Sequence, residues 1–588
     1  MNYNLYDIQQ SLNGKGRSSS VLKKLGQLTG GEGKNLFVAF AAIIINSGLN
    51  LLGPLLIGIA IDKYVETKQM HGVLVYSGIL LIVYIVALVA NYLQTQLMGA
   101  IGQRMLYNLR NSVFNKIQEL PVAFFNQNKA GDLISRINND TDKLNQFFSQ
   151  SLMRFLVIIV TMIGAGVFLL SINPILGGAA LIPGVFILIF TRLISPWVKR
   201  RNAASLKSTG GMSGEIQESL DNFKTIIAFN RRDYFRKKFD DVNQDNYRKS
   251  IDAGIANNLL MPVYSLFTNM AQLIVLAYGI YLISIGEFTV GFLISFLSYT
   301  NRFYSPLRQL AALWASFQTA LAAWDRISVI LNLQSDMTVE GNQAPDGKLN
   351  YILEFRNVYF SYDGQKEILS DVSFNLQRGK TYAFIGPTGG GKTTNASLIA
   401  RLYDPEKGCV FLDGKDIRTY SEEERSRKIG FILQEPFLFS GTVKENILFG
   451  NVKYRDCTDD QLLSILKEAH VDVLLDKFDD GLNTKITSGA NTLSLGQKQL
   501  IAFMRAVLRD PEILILDEAT ANIDTVTEQL LEEILKKLPG ATTCVIIAHR
   551  LNTIENADEI FFVNAGEVTA AGSMEHAMAM LMEGERES

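Results

Sequence analysis

Residues 386–394 read GPTGGGKTT. In this spacing Gly386, Thr388, Gly389, Gly390 and Gly391 let backbone N–H groups converge on a polyphosphate, Lys392 adds a positive charge, and Thr393 and Thr394 open a helical run. The preceding run, Thr381–Ile385, predicts a buried strand, and residues 393–402 have helical spacing. The loop therefore falls at a helix N-terminus, where the dipole favours anions. A second element, ILILDEAT over 513–520, is an apolar strand ending in Asp517 and Glu518. Such a strand delivers two carboxylates to the sheet edge near the phosphate loop, one to orient a magnesium shell and the next to polarise water. LSLGQKQL, residues 493–500, precedes it.

These residues need a scaffold of two kinds. With 588 residues, 48% hydrophobic and only 19% charged, the chain is too long for one ordinary core and too apolar for an average soluble enzyme. The apolar excess lies before about residue 325, in runs at 36–61, 73–90, 155–170, 177–190, 262–283 and 290–304, which predict six membrane spans. Long polar segments between the second and third spans, and between the fourth and fifth, carry Arg104, Arg110, Lys116, Lys129, Lys199, Arg200, Arg201, Arg236, Lys237 and Lys238. The positive-inside rule turns them to the cytoplasm, places the short connections 62–71 and 284–289 outside, and puts both termini inside a cell (plasma or inner) membrane. No cleavable signal is expected in the polar residues 1–34.

Residues 334–348 read as a linker, after which short β-branched or aromatic strands alternate with helices. The expected fold is a polytopic α-helical membrane domain, six transmembrane helices with long cytoplasmic extensions, fused to an α/β P-loop nucleotide-binding domain. Its boundaries are a cytoplasmic segment 1–34, a transmembrane domain 35–325, a linker 326–350 and a nucleotide-binding domain 351–588. Cys409, Cys457 and Cys544 have neither metal-ligand nor redox-pair spacing and read as reduced structural thiols. A net charge of −2 gives no reason to propose nucleic acid as a partner.

Over nearly all of residues 20–575 the chain resembles an ATP-binding cassette half-transporter of the exporter type. The resemblance implies ATP and magnesium as cofactors and a role for each matching residue. Tyr362, in FSYDG, would stack on adenine; Lys392 and residues 389–394 would hold the phosphates, with Thr393 reaching magnesium. Gln434, in ILQEPFLF, would sense magnesium and the attacking water; Asp517 would act on magnesium through water, and Glu518 would be the catalytic base. Asp524, in ANID, would lie in the loop crossing a dimer interface, and His549, in IIAHR, would contact the γ-phosphate. Ser494, Gly496 and Gln497 would close over ATP bound to a second subunit. Two departures stand out: Leu495 occupies the place of the first glycine of the usual LSGGQ signature, and Ser488 stands near where a glutamate is common. Gly390 replaces a commoner Ser or Ala without removing a backbone donor.

The cytoplasmic segment 120–140 resembles the family's first coupling loop, with a short transverse helix near 124–129, and 218–230 resembles the second. In the last span Phe292, Phe296, Tyr299 and Phe303 recur at helical spacing, with Arg302 one turn from Tyr299. The resemblance implies that this helix lines a translocation cavity, since an arginine inside a span ordinarily faces a bundle interior or water. The expected function is ATP-driven export of an amphipathic drug, lipid or peptide, by a dimer with a second half-transporter subunit, a heterodimer rather than a homodimer. An importer of a metal-chelate-like solute on the same fold, and an ATP-gated channel or regulatory sensor, are the alternatives. Six spans exclude a soluble cassette ATPase acting on DNA or ribosomes.

Overall fold

Inside a bilayer a backbone has no water to bond, and the helix satisfies it locally. The computed structural model describes residues 3–12, 32–339, 351–364, 366–487, 493–517, 525–538, 540–547, 556–572 and 575–580. Its helices used below are α1 (Leu5–Leu12), α2 (Gly33–Ala60), α3 (Met70–Gln118), α4 (Val122–Gln127), α5 (Leu152–Ile172), α6 (Pro174–Asp221), α7 (Arg232–Ser284), α8 (Val290–Asn332), α9 (Lys392–Ile399) and α10 (Leu495–Val507). The chain forms two compact units: one contains Met1–Ile8, Gln118–Ala130 and Leu333–Ser588, and the other Gln9–Ile117 and Gly131–Asn332.

The second unit is helical. Among the described residues five helical stretches, Gly33–Val65, Met70–Gln118, Ala130–Ile172, Pro174–Asp221 and Arg232–Ser284, are long and apolar enough to cross a membrane. The sixth expected span lies in the continuous helix α8, but Ser295, Ser298, Thr300, Asn301 and Arg302 leave it less apolar. The break between α5 and α6 is locally encoded: the Asn173 side chain accepts from the N–H groups of Ile175 and Leu176 at 3.1 and 3.0 Å, and Pro174 sits where no N–H is needed.

Three polar side chains of α8 bond backbone carbonyls of other helices in this unit. Ser295 donates to the carbonyl of Pro54 at 2.7 Å, Tyr299 to that of Leu51 at 2.6 Å, and Tyr304 to that of Ala180 at 2.6 Å. Of the aromatic series, Phe296 and Tyr299 are fully buried within one apolar cluster, and Tyr299 stacks on Phe168 with centroids 4.9 Å apart. Phe292, Arg302 and Phe303 are half-buried, and the cavity role expected of these five residues is a proposal.

At the other end of α8, Arg326 reaches Asp132 at 2.5 Å and the fully buried Asp140 at 3.2 Å, while Arg136 bonds Asp132 at 2.8 Å and the Arg326 carbonyl at 2.7 Å. A buried carboxylate is tolerable only with such partners. The second coupling segment contains a short helix, Phe223–Ala228, with Phe223, Ile227 and Phe229 exposed.

The first unit holds the strands β1 (Tyr351–Ser361), β2 (Glu367–Gln377), β3 (Thr381–Ile385), β4 (Lys407–Leu412), β5 (Lys415–Asp416), β6 (Ile429–Ile432), β7 (Gly441–Thr442), β8 (Lys485–Ile486), β9 (Ile513–Asp517), β10 (Thr543–Ile547), β11 (Glu559–Asn564) and β12 (Glu567–Ala570). A four-stranded antiparallel sheet runs β2-β1-β4-β5, and a six-stranded sheet runs β12-β11-β3-β10-β9-β6. In the latter β11, β3, β10, β9 and β6 are parallel. Their near-continuous apolar sequences fit a sheet covered on both faces, and β3, β9 and β10 are buried almost throughout. Cys409, Cys457 and Cys544 are all free thiols.

Candidate nucleotide site

In an open parallel sheet, ligands bind beyond the carboxyl ends of the strands. The phosphate loop leaves the end of β3 and enters α9 at Lys392, and β9 ends two strands away at Asp517, with β10 between them. Parallel register aligns Ile547 with both Phe384 and Asp517, so the loop and the carboxylate emerge at the same edge.

Sterics dictate glycine in the loop. Gly386 has φ +141°, and a Cβ there would meet the Val563 carbonyl oxygen at 2.0 Å. A Cβ on Gly390 would meet the same oxygen at 2.6 Å, while the Gly390 carbonyl accepts from the Gly566 N–H at 3.1 Å. The β11–β12 turn thus presses on the loop from behind, closer than the Ser or Ala common at position 390 would allow. Sequence reading does not anticipate this support, because backbone atoms leave no motif.

Lys392 is 6% exposed; its ammonium donates to the carbonyls of Gly386 and Pro387 at 2.7 and 3.0 Å, curling the side chain over its own loop. Thr388, Gly389 and Thr393 are exposed, whereas Gly390, Gly391 and Thr394 are buried. The Thr393 hydroxyl donates to the Asp517 carboxylate at 3.3 Å. A hydroxyl beside a carboxylate is a hard oxygen set suited to magnesium, which keeps several of its waters. Thr393 would hold the ion directly and Asp517 through water; when bound, magnesium neutralises charge on the β- and γ-phosphates. Among the described residues no group of three or more His, Cys, Asp or Glu is placed to hold a metal ion.

Tyr362 comes directly after β1 and is 42% exposed, with its edge fixed by Phe360 at 4.9 Å and Tyr403 at 5.1 Å, both near-perpendicular. Its hydroxyl lies 3.1 Å from the Thr394 hydroxyl, tying this aromatic face to the phosphate helix. An exposed ring held from the side can stack on a base. Tyr403 is not anticipated from sequence; nothing local in RLYDP marks it, and only tertiary proximity joins it to Tyr362.

Gln434 lies just beyond β6, and its carbonyl accepts from buried Gln499 of α10 at 3.4 Å. Arg505 of α10 steadies the same segment, donating to the carbonyls of Asn446 and Phe437 at 2.8 and 3.2 Å. Desolvation holds the Arg505 guanidinium below its usual pKa. Phe437, Phe439 and Phe449 are exposed, with Phe439 stacked on Phe449 at 4.2 Å and meeting Phe437 edge-on at 5.2 Å.

The signature residues start α10 as a capping box: the Gln497 N–H donates to the Ser494 hydroxyl at 3.1 Å, and the Ser494 N–H to the Gln497 side chain at 2.9 Å. Gln497 also donates to the Lys477 carbonyl at 2.8 Å. Leu495 is the first residue of the helix and is 36% exposed; Gly496 is the second. Glu518, Asp524, His549 and Ser488 lie outside the described residues.

A membrane-spanning helical unit and a phosphate-binding α/β unit in one chain define a membrane-bound nucleotide-binding protein. Comparison with known proteins narrows the class: residues 36–307 match the ABC transporter transmembrane region and residues 369–521 match the ABC transporter family. The chain is 33% identical over 542 residues to the ABC transporter ATP-binding protein YfiC of Bacillus subtilis (strain 168), covering 92% of this chain and 89% of that protein. It is 31% identical over 499 residues to a fatty acid ABC transporter ATP-binding/permease protein of Mycobacterium bovis, covering 85% and 78%. It is 30% identical over 503 residues to a multidrug resistance ABC transporter ATP-binding and permease protein of Lactococcus lactis, covering 85% and 84%. The chain belongs to the ABC transporter family, as an exporter-type chain fusing transmembrane and ATP-binding regions. It is a multi-pass membrane protein and an ATPase coupled to transport.

Proposed function

We propose that the protein is one half of a dimeric exporter that moves an amphipathic substrate, a drug, lipid or peptide, across a membrane by alternating access driven by ATP hydrolysis. The supporting observation is the assembled half-site at the end of β3 and β9: Lys392 over a glycine cradle, Thr393 against Asp517, and Tyr362 held as a stacking face. The phosphate loop would hold ATP, Thr393 and Gln434 would hold magnesium with Asp517 acting through water, Glu518 would activate the attacking water, and His549 would contact the γ-phosphate. The names of the relatives, fatty acid and multidrug transporters, agree with an amphipathic cargo. Both termini and the ATP-binding region lie in the cytoplasm, by the Lys and Arg bias of the loops. ATP-dependent movement of a fluorescent amphipathic dye into inside-out vesicles tests the reading; movement only in the opposite sense would assign the chain to import, and ATP-gated passive flux to a channel.

A heterodimer is favoured by Leu495. In an antiparallel pair each ATP lies between one chain's phosphate loop and the other's signature, so the halves of this sequence serve different sites. A branched, exposed side chain at the first turn of α10 replaces the glycine that gives close backbone approach to phosphate. A partner with the standard signature would complete Lys392, Glu518 and His549 into a competent site, and Leu495 would close over the partner's ATP. The exposed aromatics at 437–449 and at 223–229 are further surfaces that a second subunit would cover. Native mass spectrometry of the chain alone and with its genetic neighbour decides: a stable, fully active dimer of two copies would refute the heterodimer.

A further inference from the structure

Among the described residues before the first span, Tyr3 is the largest fully buried side chain, and bonds surround it on several sides. Its hydroxyl donates to the Asp336 carboxylate at 2.6 Å and accepts from the Asp336 N–H at 2.9 Å; with one proton to give, it favours the carboxylate over the Gln334 carbonyl at 3.3 Å. Its N–H donates to the Gln127 side chain at 2.6 Å. The Asn128 amide brackets the backbone, donating to the Tyr3 carbonyl at 2.9 Å and accepting from the Leu5 N–H at 3.1 Å. The Tyr3 ring meets Phe124, itself fully buried, edge-on with centroids 6.4 Å apart. Burial, then the Asp336 hydrogen bond, raises the Tyr3 pKa, so the hydroxyl stays a donor at any physiological pH.

Two segments distant in sequence meet here. Phe124 and Gln127 belong to α4, the transverse helix of the first coupling segment, and Asp336 lies in the stretch entering the α/β domain, whose Thr338 carbonyl is held by the buried Arg401 at 2.8 Å. On the far side of α4, Asn126 donates to the Tyr403 hydroxyl at 2.6 Å, and Tyr403 is the ring that braces Tyr362. A rigid path therefore runs from residues 3–5 through α4 to the base-stacking face.

We propose that residues 3–5 are an intramolecular strap, with Tyr3 a positioning residue that fixes α4 against the 334–336 segment so that Asn126 and Tyr403 report nucleotide at Tyr362. The proposal rests on the nucleotide-site reading above. A single hydrogen bond contributes modestly, and one to a carboxylate somewhat more, so removing the Tyr3 side chain acts by taking away the hydroxyl on Asp336 and the ring on Phe124, while the backbone bonds to Gln127 and Asn128 stay available.

Hydrogen exchange of the full chain in nanodiscs, with and without the ATP analogue AMP-PNP and magnesium, tests this. In the natural chain, AMP-PNP slows exchange at 386–394 and also at 122–128. In Tyr3→Ala, exchange at 122–128 rises by about tenfold and no longer responds to AMP-PNP, while protection at 386–394 persists. Tyr3→Phe keeps the ring on Phe124 and loses only the hydroxyl; it gives a smaller rise, about threefold, and guards against a folding artefact. ATPase kinetics supply a second readout: KM for ATP rises about threefold with kcat within about twofold, since the stacking face loosens while the hydrolytic groups do not change. Protection at 386–394 with an unchanged 122–128 segment in Tyr3→Ala overturns the strap alone. No protection at 386–394 in the natural chain overturns the nucleotide-site reading and the strap with it.

Discussion

The phosphate loop and the start of α10 are both helix N-termini suited to phosphate, yet they are built in opposite ways. The loop is crowded from behind: the Val563 carbonyl occupies the space of any Cβ on Gly386 or Gly390, and Lys392 is nearly inaccessible. The signature end is open, with Ser494 and Gln497 bonded to each other and Leu495 projecting into solvent. A half-site complete within one chain has every backbone donor preset, which lowers the cost of ordering around the ligand. On the proposed dimer, the start of α10 would be a half-site offered to another chain as an open surface, its side chains setting what kind of site the pair can make.

The largest effect is expected on the crowded side, at Lys392. Lys392→Ala removes the charge that neutralises the β- and γ-phosphates, and ATPase activity is expected to fall by about three orders of magnitude with ATP binding lost; unchanged affinity in a nucleotide-binding assay would overturn the assignment of the loop. Glu518→Gln separates binding from chemistry. ATP still binds, but turnover slows about 100-fold if the carboxylate is the general base, and ordinary single-turnover rates with the partner site disabled would remove Glu518 from the mechanism.

Gly386→Ala probes the crowding directly. The added methyl must displace the Val563 backbone at a left-handed φ, so a stability loss of about 1–3 kcal/mol and about a tenfold lower ATPase rate are expected; a thermal-unfolding midpoint equal to that of the natural chain would show the contact to be slack. Leu495→Gly tests the open side. In the assembled pair it raises hydrolysis at the partner's nucleotide by about two- to fivefold and leaves the site of Lys392 as it was, which site-specific nucleotide trapping would read. Arg302→Ala carries the smallest effect: about a twofold change in substrate-stimulated ATPase with basal turnover intact, and normal stimulation by every transported compound would assign Arg302 to packing.

Much of this contrast is legible in the sequence. The strand expected before the loop is β3 residue for residue, the helix expected over 393–402 forms as α9 but stops at Ile399, and the apolar run at 513 is β9 ending on Asp517. Glycine spacing, strand hydrophobicity and helix periodicity are local signals that need no partner. The aromatic series of α8 shows the complementary case: helical spacing shows that residues share a face but not what that face meets, and only the tertiary structure sets Tyr299 on Phe168 and the Leu51 carbonyl and buries Phe296 beside it.

That this chain spans a membrane and binds nucleotide is written along the sequence, because transfer free energy and backbone geometry act on contiguous residues. Which side chains brace the site is settled by tertiary folding alone. Tyr403 against Tyr362, the Val563 carbonyl behind the loop, and Tyr3 between Gln127 and Asp336 join residues tens to hundreds of positions apart, where burial makes each missing bond costly and no spacing along the chain records the pairing.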